Sequence, residues 1–137
     1  GLTVMLRILP SLIALLSAVY MFRASGAMES LGALLAPALG RIGIPAETAP
    51  LLFIRPISGS GALAVGSEIM QVYGVDSYIG RVAAVMLGSS ETTFYTIAVY
   101  YGSAGITKTR YTIPAALCAD AVMFLASAWT VRLIMGA

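Results

Sequence analysis

The sequence predicts an all-α, polytopic integral membrane protein with broken or re-entrant helices. Composition points to the membrane. Of 137 residues, 59% are hydrophobic and only 10% charged, and the mean hydropathy is +0.92. A soluble domain carries about 25% charged residues. Two polar, glycine-bearing segments point to the breaks. They are Arg55-Pro56-Ile57-Ser58-Gly59-Ser60-Gly61 and Gly88-Ser89-Ser90-Glu91-Thr92-Thr93-Phe94-Tyr95, each set inside apolar sequence. Unpaired polar backbone and charge are costly in hydrocarbon, so such breaks persist only where protein or trapped water surrounds them. The length fits a single domain over residues 1–137.

Residues 8–22 are uncharged and lie between Arg7 and Arg23. With both arginines snorkelling outward, 3–23 reads as a transmembrane helix. The same stretch followed by Ser25-Gly26-Ala27 imitates a signal peptide. The apolar character of everything downstream argues against that reading. Ser25 is placed to cap a helix whose first turn holds Glu29. The apolar stretch from Ser30 to Gly40 is too short to span and reads as interfacial or re-entrant. Gly43 and Pro45 end it.

Ala49–Ile54 and Ala62–Val72 flank the first polar segment. Neither spans alone. Together they predict a discontinuous helix or helical hairpin, with Ser58 to Gly61 at the break. Tyr73-Gly74-Val75-Asp76 reads as a turn and Ile79–Leu87 as a short helix carrying Arg81. An uncharged stretch runs from Thr92 to Thr107. Residues 105–110 form the most hydrophilic loop. Tyr111–Val131, interrupted only by Asp120, is the clearest spanning segment. Short hydrophobic segments broken by Gly or Pro are the pattern of a transporter-like binding region.

Several function classes drop out. The formal charge is +2, and no basic cluster with interleaved aromatics marks a nucleic-acid surface. There is no histidine, which removes a Ser-His-Asp triad and the usual zinc sites. No nucleophile stands beside a recognisable base, so no enzyme, cofactor or metal site is expected. Cys118 is alone and reads as a small buried apolar residue.

The candidate solute-binding residues are Ser58, Gly59, Ser60 and Gly61 from the first break, and Ser89, Ser90, Glu91, Thr92, Thr93 and Tyr95 from the second. Two glycines allow close backbone approach. A helix starting at Gly61 or Ala62 would point its free N–H groups into the Ser/Gly turn. Either these features bind a solute, or small residues there permit a tight helix crossing. Glu91 among hydroxyls suits a cation or a substrate hydroxyl, or else pairs with Arg55 or Arg81. Asp120 either titrates or binds an ion, or it pairs with an arginine of a neighbouring helix. Arg55 and Asp120 are the candidates for charge coupling.

Residues 22–28, the two polar segments, and Lys108-Thr109-Arg110-Tyr111-Thr112-Ile113-Pro114-Ala115-Ala116-Leu117 together resemble the spore maturation protein B family. That family belongs to the nucleoside-recognition or gate-domain group. Related segments occur in concentrative nucleoside transporters and in ferrous iron transporter B. The resemblance covers nearly the whole chain. It implies an integral protein of the cell membrane, linked to spore core dehydration in spore formers and usually found beside a related partner, spore maturation protein A. Family members usually carry a further hydrophobic segment before the region matching Gly1, so a trimmed chain is expected. In nucleoside transporters a Gly-polar-Thr-Glu stretch of a re-entrant hairpin helps bind substrate. Gly88 to Thr92 is loosely similar, which implies roles for Glu91 and Thr92. The expected function is a transporter or permease subunit for a small polar solute. The expected surroundings are the lipid bilayer and a second copy or a homologous membrane protein. The rival expectation is a scaffold that completes a complex without transporting.

Overall fold

The computed structural model describes residues 24–136 together with Thr3, Leu6, Pro10, Ile13, Ser17 and Met21, except for the side chains of Met28 and Glu29. Those six isolated positions are helical. The rest of the expected helix over 3–23 lies outside the described residues. Among the described residues every regular element is a helix and no strand occurs. The elements are α1 (Ala27–Ile42), a 3₁₀ turn (Ala46–Thr48), α2 (Ala49–Ile54), α3 (Gly59–Tyr73), α4 (Tyr78–Ser89), α5 (Thr93–Ser103) and α6 (Thr112–Ile134).

The ends of α1 rest on glycine. Gly26, with φ +73°, occupies the N-cap position expected for Ser25. Ser25 stands one residue further out, where its Oγ accepts a long 3.4 Å bond from the Ala27 N–H. Gly43, with φ +82°, closes the other end, and the Ile44 N–H reaches back to the Leu39 carbonyl at 3.0 Å. This left-handed cap satisfies carbonyls that the helix cannot pair itself. At about 1.5 Å per residue the 16 residues of α1 reach about 24 Å, short of a hydrocarbon core of about 30 Å.

α3 and α4 form an antiparallel hairpin that carries half of the buried apolar core, whereas Cys118 of α6, expected to be buried, is exposed. Val65, Ile69, Val82, Ala83 and Met86 are buried, and α6 packs Phe124, Ala128 and Val131 against them. Gly66 lets the two helices approach closely, since a Cβ there would lie 2.4 Å from Leu87 Cδ1. Ser77 caps α4, its Oγ accepting from the Gly80 N–H at 3.0 Å.

The far end of α1 is tied down by two aromatic side chains. The Tyr78 hydroxyl is shared between the carbonyls of Gly43 (3.0 Å) and Ala128 (3.3 Å). The Trp129 indole N–H donates to the Ile42 carbonyl at 2.9 Å. α6 thereby locks onto both α1 and α4.

Two stretches are long and apolar enough to cross a membrane: Tyr78–Ser103, taken through its break, and Thr112–Ile134. Large apolar side chains face outward, among them Leu34 at 75%, Val122 at 64% and Leu133 at 81% exposure. Apolar groups facing outward on this scale mark a surface meant for lipid or for other protein.

Candidate functional site: the junction of two helix breaks

The first break is built by Pro56 and the two glycines. α2 ends at Ile54, one residue before Arg55-Pro56. The chain turns through Ile57, and Ser58 caps α3 by accepting the Gly61 N–H at 3.0 Å. The helix thus begins at Gly59, two residues before the expected start at Gly61. Gly61 has little room: a Cβ there would lie 3.0 Å from both Ile54 Cγ2 and Ser58 Oγ. Ser60 is exposed.

The second break separates α4 from α5. Ser90 and Thr92 are extended, and Thr92 occupies the N-cap of α5 without a side-chain cap bond. Ser89 Oγ donates back to the Val85 carbonyl at 2.5 Å. Ser90 Oγ is buried and has no partner among the described residues. Glu91 and Tyr95 are exposed.

These two breaks, far apart in sequence, meet. The Phe94 N–H, one of the unpaired donors of the first turn of α5, donates to the Pro56 carbonyl at 3.0 Å. Gly59 lies so close to Thr92 that a Cβ would stand 2.7 Å from Thr92 Oγ1. The close approach that glycine permits is therefore an approach between the two breaks. Gly59→Ala is expected to cost about 1–3 kcal/mol by overpacking. Thr92→Ala in the same chain should return at least half of that loss. Unfolding midpoints of the four proteins in a double-mutant cycle test it; strictly additive losses would place the strain elsewhere.

The charged candidates take separate partners. Arg55 is 7% exposed, and its Nη2 donates to the Leu87 carbonyl at 2.8 Å. Its Nη1 lies 4.0 Å from the Cβ position of Gly59, and its buried Nε has no partner among the described residues. Asp120 is 8% exposed and accepts a 2.5 Å hydrogen bond on Oδ2 from Thr93 Oγ1. Neither expected arginine pairing forms among the described residues. Among the described residues the ion pair is Arg81 with Asp76 at 3.9 Å, on the surface, and Arg55 contacts a helix end. A carbonyl terminus carries partial negative charge, and a guanidinium complements it.

A cleft of about 260 Å³ opens beside this junction. Pro56 and Asp120 are on its wall, and the remaining lining is apolar: Leu39, Ile42 and Ile44 at the end of α1, Leu52 of α2, and Leu117, Ala121, Phe124 and Leu125 of α6. None of the ten solute-binding candidates lines it directly; Thr93 reaches it through Asp120. The apolar lining was missed in the sequence. A faint signal exists: Leu117, Ala121 and Phe124 stand three before, one after and four after Asp120, the spacing of one helix face.

The sequence that carries these two breaks matches a known class of domain. A family model described as Gate, nucleoside recognition, matches residues 5–107. The chain is also 45% identical over 136 residues to spore maturation protein B of Bacillus subtilis (strain 168), covering 99% of this chain and 76% of that protein. The chain belongs to the nucleoside-recognition Gate family and, within it, to the spore maturation protein B family. No solved structure matches it. Both breaks fall inside the matched stretch, whereas Asp120 falls outside it.

Proposed function

We propose that the chain is a subunit of a membrane transporter or permease for a small polar solute, a multi-pass integral protein of the cell membrane. The observation that carries this reading is the junction itself. Two helix breaks are joined through Pro56 and Phe94 and through Gly59 and Thr92, with a buried carboxylate and a cleft beside them. In hydrocarbon, irregular backbone is tolerated where it lines a cavity, and discontinuous helices build transporter sites. The solute contacts are assigned to Ser58, Gly59, Ser60, Gly61, Ser89, Ser90, Glu91, Thr92, Thr93 and Tyr95, with Arg55 and Asp120 tuning charge. A second copy or a homologous membrane protein completes the pathway.

The test is flux in reconstituted liposomes, using labelled nucleosides, small carboxylates and small amines. One class is expected to cross faster than in empty liposomes. Thr93→Val, which removes the donor to Asp120, should slow that flux about tenfold, the scale of one charge-assisted hydrogen bond. Wild-type protein that moves no class would remove the reading.

One observation favours the scaffold reading instead. Several hydroxyls at the junction are already used within the protein, Ser58 by the Gly61 N–H and Thr93 by Asp120, as in helix-packing glue. Cysteines placed at Ser58 and Ser90 in a Cys118→Ala background separate the two. A small polar thiol reagent labels them in a transporter and leaves them inert in a scaffold.

A further inference from the structure

Asp120 is the one charged side chain on the cleft wall. It is more than nine-tenths buried. Among the described residues its carboxylate has a single hydrogen-bond donor, Thr93 Oγ1, which goes to Oδ2. An ionised carboxylate offers about four acceptor sites. One neutral hydroxyl leaves most of that capacity and all of the charge unanswered, and an unpaired buried charge is strongly unfavourable. A ligand that brings positive charge or N–H donors into the cleft would fill that open capacity.

The walls say what the rest of that partner looks like. Leu39, Leu52, Phe124 and Leu125 line the same cleft with apolar surface. A bare metal ion is a poor match. Hard cations take six or more oxygens, the cleft supplies one carboxylate, and the described residues contain no cluster of three His, Cys, Asp or Glu. A lipid tail would cover the walls but leave the carboxylate unpaired. The cavity, at about 260 Å³, is just below the roughly 300 Å³ at which small-molecule pockets begin, so the occupant is small.

We propose that the cleft binds a small organic cation, a primary or secondary amine. Its ammonium group sits on Oδ1 of Asp120 and its alkyl or aryl body lies against Leu52 and Phe124. The proposal rests on the transport reading and deepens it: it places the cation of the solute in the cleft beside the junction, rather than on the ten residues assigned above, and names its class. Because Asp120 lies beyond the stretch matched by the family model, this selectivity belongs to the last helix rather than to the two breaks.

Calorimetric titration of the purified full chain in detergent tests it, with butylamine and benzylamine as ligands and benzyl alcohol as the neutral match. The amines are expected to bind the wild type at least tenfold more tightly than the alcohol. Asp120→Asn should weaken amine binding at least tenfold and alcohol binding by much less, as loss of the charge opposite an ammonium requires. Ala121→Phe fills the cleft while keeping the carboxylate, and should abolish binding of both. If Asp120→Asn fails to fold, the amine-to-alcohol ratio in the wild type and the Ala121→Phe variant decide the matter. Equal binding of amine and alcohol, or no binding, overturns the proposal. Amine binding without liposome flux would defeat the transport reading and leave this one standing. Flux of another class without amine binding would do the reverse.

Discussion

Gly80→Ala is expected to lower stability by about 3 kcal/mol or more, or to prevent folding altogether. A methyl group at Gly80 would lie 2.1 Å from the Gly74 carbonyl oxygen, 3.1 Å from its carbon and 3.2 Å from Val75 Cα. All three are backbone atoms, so no side chain can rotate to make room. The Gly74 oxygen is also held in place. It accepts from the Ser77 N–H at 3.3 Å and from Ser77 Oγ at 2.8 Å. Ser77 Oγ in turn accepts the Gly80 N–H at 3.0 Å. Gly74 itself sits at φ +88°, where a larger residue is strained. Unfolding in mixed micelles, followed by helical circular dichroism, measures the loss. An alanine variant as stable as the wild type would mean that the α3–α4 turn yields freely.

Arg55→Ala is expected to cost about 2–4 kcal/mol. The guanidinium pairs with the Leu87 carbonyl in the last turn of α4, where helix carbonyls lack intrahelical partners. Truncation leaves that carbonyl unsatisfied, opens a void in a buried position and removes the cation from the negative end of the helix. Arg55→Lys keeps the charge but not the planar fork, and should recover about half of the loss. The same micelle titration reads both variants. Equal stability of Arg55→Ala and wild type would show that the clamp contributes nothing.

The breaks were legible because they depend on local chemistry. Ser58 caps α3 and the Thr92–Thr93 step opens α5, as polar residues beside helix-breaking glycine and proline foretell. The last helix was read as Tyr111–Val131 and runs over Thr112–Ile134. The turn after Tyr73 falls where Gly74 marks it. Tertiary choices were not legible. Nothing in the sequence distinguishes an arginine paired with Glu91 from one that caps a helix 32 residues away. Asp120 was singled out for its charge in an apolar run, but its partner Thr93 is 27 residues distant, and the walls of the cleft come from three helices. Start positions shifted by one or two residues for a simple reason. Gly26 takes the cap position that a reading based on side-chain caps gives to Ser25, and Gly59 is already helical behind the Ser58 cap where a reading that keeps both glycines in the turn starts the helix at Gly61.

The two aromatic ties at the end of α1 bear on the order of assembly during synthesis. Tyr78 follows Gly43 by 35 residues, and Trp129 follows Ile42 by 87. Chains mature from the N-terminus as they emerge, yet these contacts join an early segment to the last helix. The end of α1 is therefore translated long before its fastening exists. Until Trp129 arrives, one side of the cleft has no fixed frame, so a chain halted before the last helix would carry both polar breaks and still lack a finished binding chamber.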